Sequence, residues 1–201
     1  MKILAVALFA SFAGGLLASA SALAAHEYFA TLTSVTATGE NHTFIAGEAT
    51  ITCKKAEFKW AGTEGAHTVL DVTPAYKECK AFGTGALVTV VEKAQFEFGA
   101  PTEVKKGEFS MKASIIGEAT ARLRVTVTIG SEKCEVSFPV QKLMGEATRF
   151  INNVEETGGE VKAKIESISY TSNSECNGKV PASGTNGKYE GNAHETGITV
   201  K

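Results

Sequence analysis

The sequence predicts an all-β protein, either an antiparallel β-sandwich or a barrel-like domain, stapled by two disulfides. Three observations predict this fold class. Apolar and polar residues alternate with period two over strand-length runs. Turn signals rich in glycine and asparagine separate those runs. The chain also carries 4 cysteines, an even number, behind a segment that resembles an export signal.

The beginning of the chain has the pattern of a secretory signal peptide, residues 1–24. Lys2 supplies a positive charge, Ile3 to Leu17 form an apolar run, and Ala22 to Ala24 give the small-x-small pattern that precedes cleavage. The alternative is a membrane anchor, but the run is short for a span of roughly 20 residues. We therefore expect a secreted or cell-wall-associated protein without a membrane span after signal removal.

The remainder, residues 25–201, suits one β-rich domain, with a possible internal division near residues 99–107. In the first strong run, Ala49 to Cys53 place apolar residues at odd positions, whereas Ala56 to Trp60 place them at even positions. One extra residue in a strand produces such a phase change, so we predict a β-bulge near Lys54 and Lys55.

Further strands follow from the same period-two reading. In the run 161–170, the alternation changes phase a second time, near Glu166. The segment from Gln141 to Thr148 is predicted to form a single helical turn. The remaining predicted strands fall in the runs 70–83, 88–98, 109–115, 123–129, 134–140 and 161–170.

The cysteines predict two disulfides, for which three connectivities are possible. We favour Cys53–Cys79 and Cys134–Cys176, because each pair joins segments that are plausible neighbours. Metal binding is the alternative, but it favours closely spaced ligands such as Cys-x-x-Cys, and these cysteines lie far apart.

Two stretches resemble a large group of uncharacterised exported β-proteins of soil actinobacteria. They are Leu70 to Gly83, and Ile168 to Cys176 together with the later Lys-Tyr-Glu-Gly. The resemblance implies a fold and an export route, but no reaction. Members of that group carry two further cysteines near the positions of Ala94 and Ala113, so the resemblance implies that a third bridge is missing here and that Ala94 lies opposite Ala113.

Composition and motifs exclude several functional classes. A net charge of -2 gives no electrostatic basis for binding nucleic acid or an anionic membrane. Asp71 is the only aspartate, which excludes calcium loops of the Asp-x-Asp type. The chain lacks the His-Glu-x-x-His and Gly-x-Ser-x-Gly motifs, and His42, His67 and His194 lie in turn-rich contexts that predict surface positions. No cofactor is expected.

Three residues are candidate ligand contacts: Tyr76, Trp60 and Asp71. Aromatic rings that converge on one face form a platform for sugar stacking, and Tyr76, beside Pro74, is the best exposed candidate. Trp60 is in phase with Phe58, which also fits a core position. Asp71 is expected to bind local backbone before the Pro turn, with ligand contact as the alternative.

The function that fits these observations is a non-catalytic exported or envelope-associated β-module, used for binding or as a structural component. Its expected partner is a cell-envelope or extracellular polysaccharide. The alternative is an extracellular glycan or peptide hydrolase that uses glutamates, which would need two glutamates facing each other across a cleft, roughly 5–9.5 Å apart.

Overall fold

The computed structural model describes residues 25–153, 158–176 and 178–201, so the predicted signal peptide lies outside the described residues. Apart from one 3-10 turn at Ser174–Cys176, the regular structure of the described part is β-strand. The strands are β1 (Tyr28–Ala30), β2 (Ser34–Ala46), β3 (Ala49–Ala61), β4 (Gly65–His67), β5 (Leu70–Ala81), β6 (Thr84–Val91), β7 (Gln95–Phe98), β8 (Thr102–Lys105), β9 (Glu108–Ile116), β10 (Arg122–Ile129), β11 (Glu132–Pro139), β12 (Gln141–Asn152), β13 (Gly158–Ser172), β14 (Ser183–Thr196) and β15 (Ile198–Val200).

The strands close into an antiparallel barrel with eight wall positions, which confirms the predicted fold class and selects the barrel over the sandwich. Five positions are filled by the long strands β2, β3, β5, β13 and β14. Each of the other three is filled by two short strands in succession, β6 with β7, β9 with β10, and β11 with β12. β5 pairs with both β6 and β7, and β13 with both β11 and β12, so each pair of short strands continues one wall position.

The connectivity is a simple meander in which each wall position pairs with its neighbours in the chain. The pairing of β2 with β14 joins the first position to the last and closes the ring. Residues 99–107 lie inside this continuous sheet, since β7 and β9 on either side of them pair directly. One buried cluster contains residues from both sides of that segment.

A small three-stranded sheet, in the order β15-β1-β4, packs against one end of the barrel, which we call the cap end. Its central strand is anchored by Tyr28, whose hydroxyl donates to the carbonyl of Gly99 at 2.9 Å. Asn152 binds both backbone groups of one residue of β15, because its Nδ2 donates to the oxygen of Val200 at 2.7 Å and its Oδ1 accepts from the nitrogen of Val200 at 2.8 Å. The cap therefore holds the N- and C-terminal strands on the wall.

Both predicted disulfides are confirmed, Cys53–Cys79 and Cys134–Cys176. The first links β3 to β5, which are already neighbours in the wall. The second ties β11 to the connection between β13 and β14, at the end of the barrel opposite the cap. Two disulfides are typical of a protein that works in an oxidising environment such as the extracellular space.

The phase change at Lys54 and Lys55 is confirmed, but the predicted bulge is wrong. The register of β3 with both neighbours continues across the change without an extra residue. The neighbouring strands change phase in the same row, at Asn41 and Glu78, which have φ of 56° and 54°. The left-handed residues let β2 and β5 change phase in the same row as β3, so the pairing is preserved. In β13, by contrast, a register shift accompanies the predicted phase change, next to Ser167.

Two local expectations are wrong because tertiary pairing decides them. Residues 141–148 form no helical turn, since they belong to β12 and pair with β9. Ala94 does not lie opposite Ala113, whose partner in the register is Phe98. The register therefore gives no support for a lost bridge between those two alanines.

Candidate functional site

The three predicted contact residues do not form one site. Tyr76 and Trp60 point into the barrel, with 7% and 5% of their surface exposed, whereas Asp71 lies on the outer face of β5. The expectation that Tyr76 is exposed is therefore wrong, because strand alternation places it among the core aromatics Phe44 and Phe58. The alternative core position of Trp60 is confirmed.

A buried chain of polar groups crosses the barrel interior around His42. The Tyr76 hydroxyl donates to the hydroxyl of Tyr189 at 3.4 Å, and Nδ1 of His42 lies 2.7 Å from the same Tyr189 hydroxyl. Each hydroxyl has one proton to donate. Because the Tyr189 hydroxyl accepts from Tyr76, its own proton is donated to Nδ1 of His42, and the neutral imidazole then has its proton on Nε2. Burial lowers the pKa of His42 to about 4, so the ring is neutral at physiological pH.

The surface position predicted for His42 is wrong, since the ring is fully buried. It lies where the pairing of β2 with β14 is interrupted, between the pairs Thr43–Glu190 and Thr38–His194. Gly191 makes room for the ring, because a Cβ there would lie 2.1 Å from Nδ1 of His42. The only indication of this buried position in the sequence was the presence of glycine within these strands. A glycine in a strand does not distinguish a bulge from close packing.

Behind this interruption lies an interior cavity of about 60 Å³ in the half of the barrel nearest the cap. Its lining is mainly aromatic and aliphatic and includes Trp60, Phe96, Phe150 and Ala193. His42 and Glu195 also line it. Sequence reasoning did not find this space, because it depends on how side chains from opposite walls meet.

Glu195 is the one buried carboxyl group in the described part of the chain. Its Oε2 accepts the backbone N–H of Ile198 at 2.9 Å. Burial raises the pKa of this carboxyl to about 7, against the hydrogen bonds from Ile198 and Gly159 that favour the ionised form. Glu195 therefore exchanges its proton near neutral pH.

Outside the same seam, two polar hollows follow one another along β2 and β14, and we call them together the outer trough. The hollow nearer the cap has a volume of about 700 Å³ and the second about 540 Å³. The polar side chains that line them are Thr36, Thr38, Glu40, Asn41, Thr43, Asn152, Asn153, Glu160, Lys162, Lys164, Glu190, Asn192, His194, Glu195 and Thr196.

Charges of both signs are interspersed in the outer trough. Glu160 lies 3.0 Å from Nζ of Lys162 and 3.5 Å from Nε2 of His194. Exposed threonines of β2 lie beside this group. The lining therefore offers donors and acceptors of hydrogen bonds and no large apolar surface.

Most other glutamates that make ion pairs do so with basic residues on the outer face of the wall. Examples are Glu57 with Lys77, Glu135 with Arg124 at 3.7 Å, and Glu166 with Lys188 at 3.2 Å. These carboxylates face neighbouring strands on a convex surface. Pairing with Lys77 lowers the pKa of Glu57, which keeps that group ionised.

Three further findings concern the described residues. No cluster of three or more His, Cys, Asp or Glu side chains there is arranged to hold a metal ion. No helix there combines the length and the apolar character that a membrane span requires. Comparison with known proteins gives no matching family model, curated protein or solved structure.

Proposed function

We propose that this chain is a non-catalytic exported module that binds an extracellular or cell-envelope polysaccharide in the outer trough. The observation that carries the proposal is the trough itself, an extended polar surface on a rigid disulfide-linked barrel. The signal-like segment and the two disulfides support export.

The dimensions and chemistry of the trough favour an extended, hydroxyl-rich polymer. From Thr36 to Thr43 the strand β2 spans about 23 Å, enough for several units of a chain lying along it. Hydroxyl, amide, carboxylate and ammonium groups alternate over that distance. Such a lining pairs with the donors and acceptors of a polysaccharide, whereas a protein partner would favour a more apolar centre.

The test is retention of the mature, oxidised protein on purified cell walls and a panel of insoluble polysaccharides. Thr38→Arg places a long charged side chain in the trough and is expected to weaken retention at least tenfold. Thr128→Arg makes the same change at an exposed position of β10, on the opposite side of the barrel, and is expected to bind like the unchanged protein. Both positions are exposed, so folding is preserved.

Product analysis of the same tubes tests the hydrolase alternative. Saturable retention without released fragments, lost only in Thr38→Arg, supports the proposal. Release of soluble fragments would instead support the alternative function, a hydrolase that uses glutamates. Equal retention of the Thr38→Arg and Thr128→Arg variants would show that the binding surface lies outside the trough.

A further inference from the structure

The interior cavity near the cap is lined mainly by apolar side chains from different walls of the barrel. The rings of Phe58, Phe96 and Phe150 belong to this lining, and Tyr28 and Ile198 contribute to it from the cap. All five side chains are buried. A barrel of about eight strands is just wide enough to be filled by side chains or to hold one small ligand. The chemistry of the lining therefore decides which kind of molecule the cavity takes.

Hydrogen bonds within the protein engage the polar groups of Tyr28, Tyr189 and His42 at the cavity. The Tyr28 hydroxyl donates to the carbonyl of Gly99 at 2.9 Å. The Tyr189 hydroxyl bonds to Nδ1 of His42 at 2.7 Å, and His42 also forms a hydrogen bond with the backbone of Asn192. Because His42 has its proton on Nε2, this nitrogen donates to the Asn192 carbonyl, beside which it lies.

The carboxyl group of Glu195 is engaged in the same way, by the backbone N–H groups of Ile198 at 2.9 Å and of Gly159. A water molecule in the cavity would give up its bonds to other water and meet mainly carbon atoms. A cavity holds water when it offers about two to four polar partners, whereas apolar cavities take xenon or benzene. This lining therefore favours an apolar occupant.

We propose that the cavity is a binding site for a small apolar molecule without hydrogen-bonding groups. Its volume is about 60 Å³, whereas a cavity of about 150 Å³ is the size that holds benzene. In proportion, the site accommodates roughly two or three heavy atoms. Xenon and ethane belong to this class. The dispersion attraction of the surrounding aromatic rings stabilises such a molecule.

The seam between β2 and β14 is the expected point of entry. Gly191 and Asn192 line both the cavity and the second hollow of the outer trough, so the wall between the two spaces is thin there. Strand pairing is interrupted between Glu190 and His194. Fewer backbone hydrogen bonds therefore oppose a local opening that admits a small molecule.

The test is a titration of the mature, oxidised protein with xenon under pressure, followed by NMR of the methyl groups. Met111, Val72 and Ile198 line the cavity, whereas Leu123 and Val127 are equally buried but lie outside its lining. We expect saturable shifts of the methyl signals in the first set and no comparable shifts in the second.

Competition between xenon and two molecules of similar size tests the chemical class. Ethane and methanol are matched in their number of heavy atoms, but only methanol has a hydroxyl group. We expect ethane to displace xenon and methanol to do so at least tenfold more weakly, because its hydroxyl loses its bonds to water. This comparison uses the unchanged protein and does not depend on the folding of a variant.

Ala193→Val adds two methyl groups to the buried lining and is expected to weaken xenon binding at least tenfold. The matched control, Ala75→Val on the outer face of β5, is expected to bind xenon like the unchanged protein. If Ala193→Val does not fold, Ala163→Val fills the same cavity.

Several results would overturn the proposal. Shifts that grow in proportion to xenon pressure, and equally at all methyl groups, would indicate non-specific contact. Displacement of xenon by methanol as readily as by ethane would contradict the apolar class. Magnetisation transfer from water to the methyl groups of Met111 and Ile198 would show a hydrated cavity. None of these results depends on polysaccharide retention, so the proposed function stands or falls separately.

Discussion

At the scale of single residues, two buried ionisable groups in the same half of the barrel oppose each other in their effect on stability. The pKa of Glu195 is raised to about 7 by burial, so its contribution to stability is present at acid pH and lost as pH rises through 7. The pKa of His42 is lowered to about 4 by burial, so its contribution is present above about 6.5 and lost as pH falls through 4.

These opposite signs give a prediction for pH 4.5–6.5, where both effects act. For the unchanged protein, we expect the free energy of unfolding to vary little across this range. Glu195→Gln removes one effect, so its free energy of unfolding is expected to fall steadily from pH 6.5 to 4.5 as His42 is protonated in the unfolded chain. Urea denaturation at half-unit pH steps measures this.

Glu190→Gln, at an exposed position of β14, is the control for this experiment and should follow the unchanged protein. The exposed Glu57 and Glu78 have pKa values lowered by neighbouring lysines, so they titrate below this range. The same profile for Glu195→Gln and the unchanged protein would contradict the assignment of a raised pKa to Glu195.

At the scale of secondary-structure elements, the two disulfides have different local consequences. Cys53 and Cys79 lie in strands whose backbone pairing continues on both sides of the bridge. Cys176 lies in a connection that is not itself paired in the wall. Asn173 holds the start of this connection, donating to the oxygen of Lys133 at 2.8 Å and accepting from the nitrogen of Glu135 at 3.0 Å. The disulfide at Cys176 then attaches the middle of the connection to β11.

Replacing both cysteines of either pair with alanine is expected to lower the free energy of unfolding by about 3–4 kcal/mol in the chain-entropy model. Only the loss of Cys134–Cys176 is expected to release the connection, so trypsin should then cut after the exposed Lys179 under native conditions. Thermal unfolding and timed proteolysis measure the two effects. Equal resistance of both variants at Lys179 would show that other contacts hold the connection.

At the scale of the whole molecule, barrel closure joins the beginning and the end of the described chain. The hydrogen bond between His42 and Tyr189 connects residues 147 positions apart. The wall positions between them pair in sequence, and one buried cluster runs through the barrel. Strands from before and after residues 99–107 pair directly in the ring.

We therefore expect the oxidised protein to unfold in one cooperative transition. The measurement is calorimetry, with equal calorimetric and van't Hoff enthalpies, together with coincident curves from far-UV circular dichroism and Trp60 fluorescence. Two resolved transitions would instead support two β-halves that divide near residues 99–107.

The sequence by itself determined the β class, most strand runs, the number of disulfides and the phase changes near Lys54 and Glu166, whereas it only favoured the pairing that the structure shows. Each depends on period-two alternation, turn chemistry or cysteine count, which are local properties. Alternation also separated two faces of each strand. It did not show that the face carrying Tyr76 is the interior of a barrel, since that depends on closure.

Only the tertiary structure decided the barrel, the buried place of His42, the cavity and the outer trough. All four depend on which distant strands meet and in what register. The interrupted seam between β2 and β14 brings Gly39 and Gly191 against the imidazole, and no local pattern encodes that meeting. A one-residue shift in register reverses every side chain of a strand, so sites built across strands are fixed by non-local pairing.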